Sequence, residues 1–185
     1  MPNTGVLVLL TRLMQPRDPA RAGALMTGWL AKYPSDLTVR LYYANMLMTQ
    51  QKNAEAITQF QAVLKQDPNN VLALNNLGWL LQTSDPKRAL SLLTLAEKIA
   101  PNSPDVSDTL GWVKLQQKDA AGALSLLKRA HASKPEDGEI TYHLAVALDA
   151  NGQRAAARQL ITTLLASGVK FPGLPAAKTL AAAWR

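Results

Sequence analysis

The sequence predicts an all-α fold: an array of about five helical hairpins laid side by side and closed by a C-terminal helix. Three observations predict it. Prolines that follow an apolar helical stretch recur at Pro34, Pro68, Pro101 and Pro135, at spacings of 34, 33 and 34 residues. An alanine stands twelve residues before each, at Ala22, Ala56, Ala89 and Ala123, and a fifth follows in step at Ala157. Between these markers the apolar residues keep helical spacing, so the period is that of a repeated two-helix unit.

The units run over about residues 3–36, 37–70, 71–103, 104–137 and 138–171, within one domain covering 1–185. In each first helix an apolar residue is followed by a small or apolar one: Leu9-Leu10, Tyr43-Ala44, Leu77-Gly78, Leu110-Gly111 and Leu144-Ala145. In each second helix the alanine is followed four and seven residues later by Met26/Trp29, Phe60/Val63, Leu93/Ala96, Leu127/Ala130 and Ile161/Leu164. That spacing puts all three on one face. Helix axes about 8–10 Å apart need glycine or alanine where the backbones cross, which explains the small positions. The proline ends the second helix, because it cannot continue the hydrogen-bond ladder. The polar residues after it, Ser35-Asp36, Asn69-Asn70, Asn102-Ser103 and Asp137, can cap the next helix. Unit three is one residue short, and the loss falls in its internal turn, where Asp85 is a natural cap and Pro86 the first helical residue.

A stack leaves an apolar face at each end. After unit five the expected proline is missing, and Ser167-Gly168 and Phe171-Pro172-Gly173 break the chain. A helix over about 175–184 then carries Ala177, Leu180, Ala181 and Trp184 as a stripe that can cover the last unit, with Trp184 as its anchor. The first helix, by contrast, holds Val6, Leu7, Val8, Leu9 and Leu10 in succession with no capping element before it. Such a helix expects burial, which predicts that the array continues upstream; the alternative is self-association through that face.

Composition narrows the function. Apolar residues make up 48% of the chain, which excludes a disordered polymer, and the absence of cysteine excludes disulfides and thiolate metal sites. No segment has the roughly 18 apolar residues that span a bilayer. The templates for enzymes, metal sites and cofactor sites find no match. The two histidines, His131 and His143, are twelve apart on different helices, and a structural role is expected for both. No cofactor is expected. Trp29, deep in a second helix, is expected in the core.

The pattern resembles the tetratricopeptide repeat over residues 3 to about 168, with Leu37–Asn70, ending AVLKQDPNN, the cleanest copy. The resemblance implies a right-handed α-α superhelix of about five such hairpins whose first helices line a concave groove. It implies that the second, fifth, ninth, twelfth and thirteenth residues of each unit face the groove. On that mapping the groove includes Asn45, Asn75, Trp79, Gln82, Asp108, Trp112, Gln116 and Tyr142, the residues expected to bind a partner. None of the mapped positions is Lys or Arg, although the chain has 20 of these and a net charge of +7, and four of them are acidic. The positive excess is therefore expected elsewhere on the surface. Neither a clamp for carboxylate tails nor a nucleic-acid groove is expected, since both need basic groove residues. Trp79 and Trp112 occupy equivalent places, each directly after a glycine. They either present rings to a ligand or fold down between neighbouring first helices, and the sequence leaves both readings open.

The phrases NNLGWLL, IAPNSPDVSDTLGWV and PEDGEITYHLAVALDANGQRAAARQLITTLL resemble a bacterial subgroup, the C-terminal repeats of lipoproteins associated with exosortase (PEP-CTERM) and exopolysaccharide systems. That resemblance implies a non-catalytic scaffold that binds protein or peptide in an envelope export assembly, with a glycan-contacting accessory module as the alternative. It implies a periplasmic or envelope setting; the residues themselves leave the compartment open.

Overall fold

The computed structural model describes residues 3–184. They form eleven helices and no strand. Eight pair as antiparallel hairpins: α1 (Thr4–Met14) with α2 (Pro19–Lys32), α3 (Leu37–Thr49) with α4 (Asn53–Gln66), α7 (Pro104–Gln116) with α8 (Ala120–Ser133), and α9 (Gly138–Ala150) with α10 (Arg154–Ala166); α5 (Val71–Leu81) and α6 (Pro86–Ile99) follow one another between the second and third of these. The last, α11 (Leu174–Ala183), stands alone. The chain divides into two compact units, residues 1–80 and 81–185.

Caps start most of these helices. Asn3, Asp18, Asp36, Asp85, Ser103, Asp119 and Asp137 each accept a hydrogen bond from a first-turn amide. Asn70 does the same for Ala73. Each satisfies a backbone donor that the helix itself cannot.

Within each unit the second helix packs through the alanine face. Ala22, Ala56, Ala89, Ala123 and Ala157 are all fully buried, and so are Met26, Phe60, Val63, Leu93, Leu127 and Ile161. Trp29 departs from the expectation. It is half-buried, and Leu30 takes the core position instead. Its indole N–H needs a partner and finds the Asp36 carboxylate at 2.9 Å, while its ring tilts against Tyr33. α7 and α8 approach closely at Gly111, where an added Cβ would lie 2.7 Å from Leu127 Cγ.

First helices also receive the second helix of the preceding hairpin, α2 on α3 in the first unit, and α6 on α7 and α8 on α9 in the second. The third, seventh and tenth residues of these helices are buried: Val39, Tyr43 and Met46; Val106, Leu110 and Val113; Ile140, Leu144 and Ala147.

The internal turns come in two kinds. After α3, α7 and α9 one residue adopts the left-handed conformation, Gln51 (φ 59°), Lys118 (φ 65°) and Gly152 (φ 76°). The next amide then returns to the helix, as in Lys52 N–H to Leu47 O (2.9 Å) and Asp119 N–H to Lys114 O (3.0 Å). After α1 and α5 the turn is shorter. Asp18 N–H bonds Met14 O and Asp85 N–H bonds Leu81 O, both at 2.8 Å, and Pro19 or Pro86 follows.

That shared short turn corrects the reading of the first hairpin. Leu9 and Leu10 were expected to be its packing pair, yet both are exposed, while Leu7 and Thr11 are buried. The hairpin lacks one residue in its internal turn, as the third does, so its first helix sits one residue later in phase. Thr11 is the small crossing residue, its hydroxyl satisfied by Leu7 O at 2.8 Å. The groove positions of this helix shift with it, and Arg12 takes the place equivalent to Asn45. The groove mapping is therefore not free of basic residues.

At the C-terminus, Ala177 is fully buried against Ala145, Ile161 and Leu164, and Ala181 and Trp184 pack beside it. The stripe expected on the final helix covers α9 and α10.

Gly111→Val should destabilise the second unit by about 1–3 kcal/mol, the usual range for an overpacked core. Urea unfolding followed by circular dichroism checks this, with Gly28→Ala, which meets nothing within 4 Å, as the comparison that should hold or gain stability.

Candidate functional site

In the first unit the expected ligand-facing residues converge on a row of side-chain amides. Asn45 on α3 lies one helix away from Asn75 and Asn76 on α5. Asn76 Nδ2 donates to Asn45 Oδ1 at 2.8 Å, and Asn75 Nδ2 donates to Asn76 Oδ1 at 3.3 Å. Asn75 Oδ1 is shielded from solvent without a hydrogen-bond partner among the described residues. Reversing the Asn75 amide would leave its nitrogen in that position instead, so either orientation leaves one polar atom unsatisfied. Trp79 is half-buried one turn further along the same helix. Asn76 was not singled out in the sequence, although its place beside Asn75 in NNLGW was the available signal.

Asp36 ties the first unit's helices together. Its carboxylate accepts from the Thr4 hydroxyl (2.7 Å), the Trp29 indole and the Val39 amide. Burial alone would raise its pKa, but these donors, together with the Thr38 amide, outweigh burial and hold it below the usual carboxylate value.

The second unit is organised around His143. Asp108 and Trp112 are four apart on α7, and Glu139 and His143 are four apart on α9, so each pair shares a helix face. The imidazole is buried between two carboxylates: Nδ1 lies 2.9 Å from Asp108 Oδ1, and Nε2 lies 3.4 Å from Glu139 Oε1. Trp112 stacks on it with ring centroids 4.1 Å apart, and Tyr142 flanks it at 5.8 Å. For Trp112 the ring thus packs on the neighbouring first helix. Glu139 also accepts from the Gly173 amide at 2.8 Å, which links the cluster to the start of α11.

Burial opposes a charge on His143, but hydrogen bonds and attraction from Asp108 and Glu139 prevail and raise its pKa to about 9. Burial dominates for Asp108, whose carboxyl is raised, while for Glu139 the histidine and the Gly173 amide overcome burial and lower it. An imidazole already protonated at neutral pH is a poor general base. This arrangement is a structural clasp.

The remaining acids expected on this face are also paired: Asp105 with Lys134 at 2.6 Å and Asp149 with Arg154 at 2.7 Å. The face is therefore close to internally neutralised. Gln82 is half-buried in the turn before α6, and Gln116 is exposed at the end of α7. His131 is half-buried on α8, its Nδ1 3.2 Å from the Thr141 hydroxyl.

Two family models match, a tetratricopeptide repeat over residues 114–183 and a TPR repeat over 44–84. The chain is 32% identical over 119 residues, 62% of its length, to a TPR repeat-containing protein of Pseudomonas aeruginosa, and covers 20% of that protein. It is 31% identical over 172 residues, 88% of its length, to cellulose synthase 2 operon protein C of Komagataeibacter xylinus, and covers 13% of it. The chain thus spans a fifth or less of these curated relatives. Among solved structures, PilW, a type IV pilus biogenesis factor, superposes with a TM-score of 0.78 at 21% identity, over 92% of this chain and 81% of that one. PilF of Pseudomonas aeruginosa gives 0.75 at 21% identity, over 97% and 87%. At these identities the structures establish a common fold.

Since His143 is held protonated, its contribution to stability is fully present below its unfolded pKa of about 6.5 and is lost as pH rises through about 9. Stability of the second unit should fall across that window, and His143→Gln should flatten the slope. Urea midpoints measured from pH 6 to 10 check it, with the ring titration followed by NMR.

Proposed function

The chain is a tetratricopeptide repeat protein, and on that premise we propose that it is a non-catalytic scaffold holding an extended protein segment within an envelope assembly. The observation that carries this reading is the row of half-buried side-chain amides Asn45–Asn76–Asn75, with Trp79 beside it. An extended backbone offers alternating N–H and C=O groups, and side-chain amides supply both complements from rigid helices. Neither high charge nor a base is needed for that task, in keeping with the paired acids on the first-helix face of the second unit. Trp79, beside the row, adds a flat apolar surface that loses little entropy on binding. Asp108, Trp112, Tyr142 and Gln116 form a second, separate contact region, in which Tyr142 and Gln116 meet the partner and the His143 clasp holds the rings in place.

The envelope setting is supported by the relative from a cellulose synthase operon, which aligns over most of this chain, and by the resemblance of the later repeats to exosortase-associated lipoproteins. We assign the scaffold to export of exopolysaccharide or surface protein on that basis.

Affinity capture from envelope extract, with this chain as bait, should recover a protein whose binding saturates in calorimetry. Asn75→Ala and Trp79→Ala should each weaken it about five- to tenfold, the equivalent of roughly 1–1.5 kcal/mol. Far-UV circular dichroism should be unchanged. Binding that ignores both substitutions would remove the proposed site. A tryptophan fluorescence response to exopolysaccharide fragments, with no protein captured, would replace the scaffold by a glycan-contacting module.

A further inference from the structure

We infer that the hollow between α2 and α3 at Gly23 is a docking site for one large aliphatic side chain, leucine or isoleucine, presented by a partner polypeptide. The site lies within the first unit and is independent of what the amide row binds. Its volume is about 270 Å³. Since a cavity of roughly 150 Å³ already holds benzene, there is room for a branched side chain and the carbonyl beside it. Tyr43, Met46 and Leu47, all buried, form the floor, and Ala20, Ala24 and Lys52 stand exposed at the rim.

The glycine opens this space. In the other four second helices the residue after the buried alanine is large: Ile57, Leu90, Leu124 and Arg158. Leu124 is half-buried against a cluster that includes Leu144, Ala147 and Leu148 of α9. Those three stand where Tyr43, Met46 and Leu47 stand on α3, so α8 fills with a leucine what α2 leaves open. Neither packing nor backbone conformation calls for the glycine. A Cβ there would lie 3.8 Å from Met46 Cε and 4.0 Å from Tyr43 Cε2, ordinary van der Waals distances, and the φ of Gly23 is not positive. Glycine also weakens a helix interior. It relieves no clash, and the space is what it provides.

The polar end of the hollow specifies the rest of the occupant. After α7, Gln117 Nε2 donates to Pro86 O at 3.2 Å, and after α9, Asn151 Nδ2 donates to Ala120 O at 2.8 Å. Each amide thus takes a backbone carbonyl at the start of a second helix, α6 or α8. Gln50 holds the same place after α3 and lines the hollow, yet its Nε2 is shielded from solvent without a partner among the described residues. A donor left so is costly. Elsewhere in the molecule, then, a leucine side chain and a backbone carbonyl occupy this place, and both are parts of a polypeptide. An incoming segment that offers the same two groups complements α2 and α3, and an acidic residue beside them would meet Lys52.

NMR titration of the isotope-labelled full chain with acetyl-Leu-Asp-amide tests this. The probe should shift the amides of Gly23 and Ala24 and the side-chain amide of Gln50, saturating at about 1–10 mM. Acetyl-Ala-Asp-amide should bind at least about fivefold more weakly, having lost most of the apolar contact. Gly23→Leu should abolish the shifts and raise the Tm by at least about 4 °C, because it places a leucine where α8 has one. Gly23→Ala, which fits without displacing a neighbour, should weaken the probe measurably and keep the fold. The proposal is overturned by the absence of a saturating shift around the hollow, by shifts that survive Gly23→Leu, or by a lower Tm in that variant. Isocaproate binding as tightly as the peptide probe would make this a site for a free acid instead. A dimer in sedimentation that Gly23→Leu dissociates would replace the partner by a second copy.

Discussion

The molecule depends on two helices crossing at a residue that has almost no side chain. Five alanines at one phase of the repeat are wholly sealed from solvent, and at Gly111 even a methyl group would be too large. Because interiors pack at crystal-like density, such a crossing fixes the rotation of both helices about their axes. Rotation in turn decides which residues of a first helix meet the preceding hairpin and which are left for a partner. The amide row and the His143 cluster both occupy faces that this geometry leaves over.

The fold was legible because its constraint is written in residue size at a fixed period. Alanine and proline positions suffice to place the second helices, and the capping residues follow from hydrogen-bond need. The first hairpin shows where counting fails. The period counted upstream from Ala22 places the first helix one step early, because one residue is missing between that alanine and α1. The sequence did hold the correction: Asp18-Pro19 matches Asp85-Pro86, the turn already recognised as short. Trp29 departs from its expected place for a different reason. Helical spacing reports direction and ignores the polar end of an indole, and here the demand of its N–H for Asp36 draws the ring to the edge of the core.

The candidate binding residues were less legible than the fold. Position alone could nominate Asn45, Asn75 and Trp112, but not what each would touch. Asp108 looked like a free acid, and it lies against a histidine 35 residues away. Asp105 and Asp149 likewise look available until Lys134 and Arg154 are seen beside them. Such pairings join residues distant in sequence or across a turn, where no short motif records them. The outcome changes the chemistry of the second unit's first-helix face, where apparent negative charge becomes a set of closed ion pairs.

The two kinds of internal turn bear on how such an array can be rearranged. Short Asp-Pro turns and left-handed turns differ by one residue, and one residue on a helix is a rotation of about 100°. A whole hairpin moved along a gene brings its own turn and keeps its phase. A recombination that joined the first helix of one class to the turn of the other would swing the buried alanine away from its partner helix. Duplication and loss should therefore respect hairpin boundaries, with crossovers tolerated between units and purged within them.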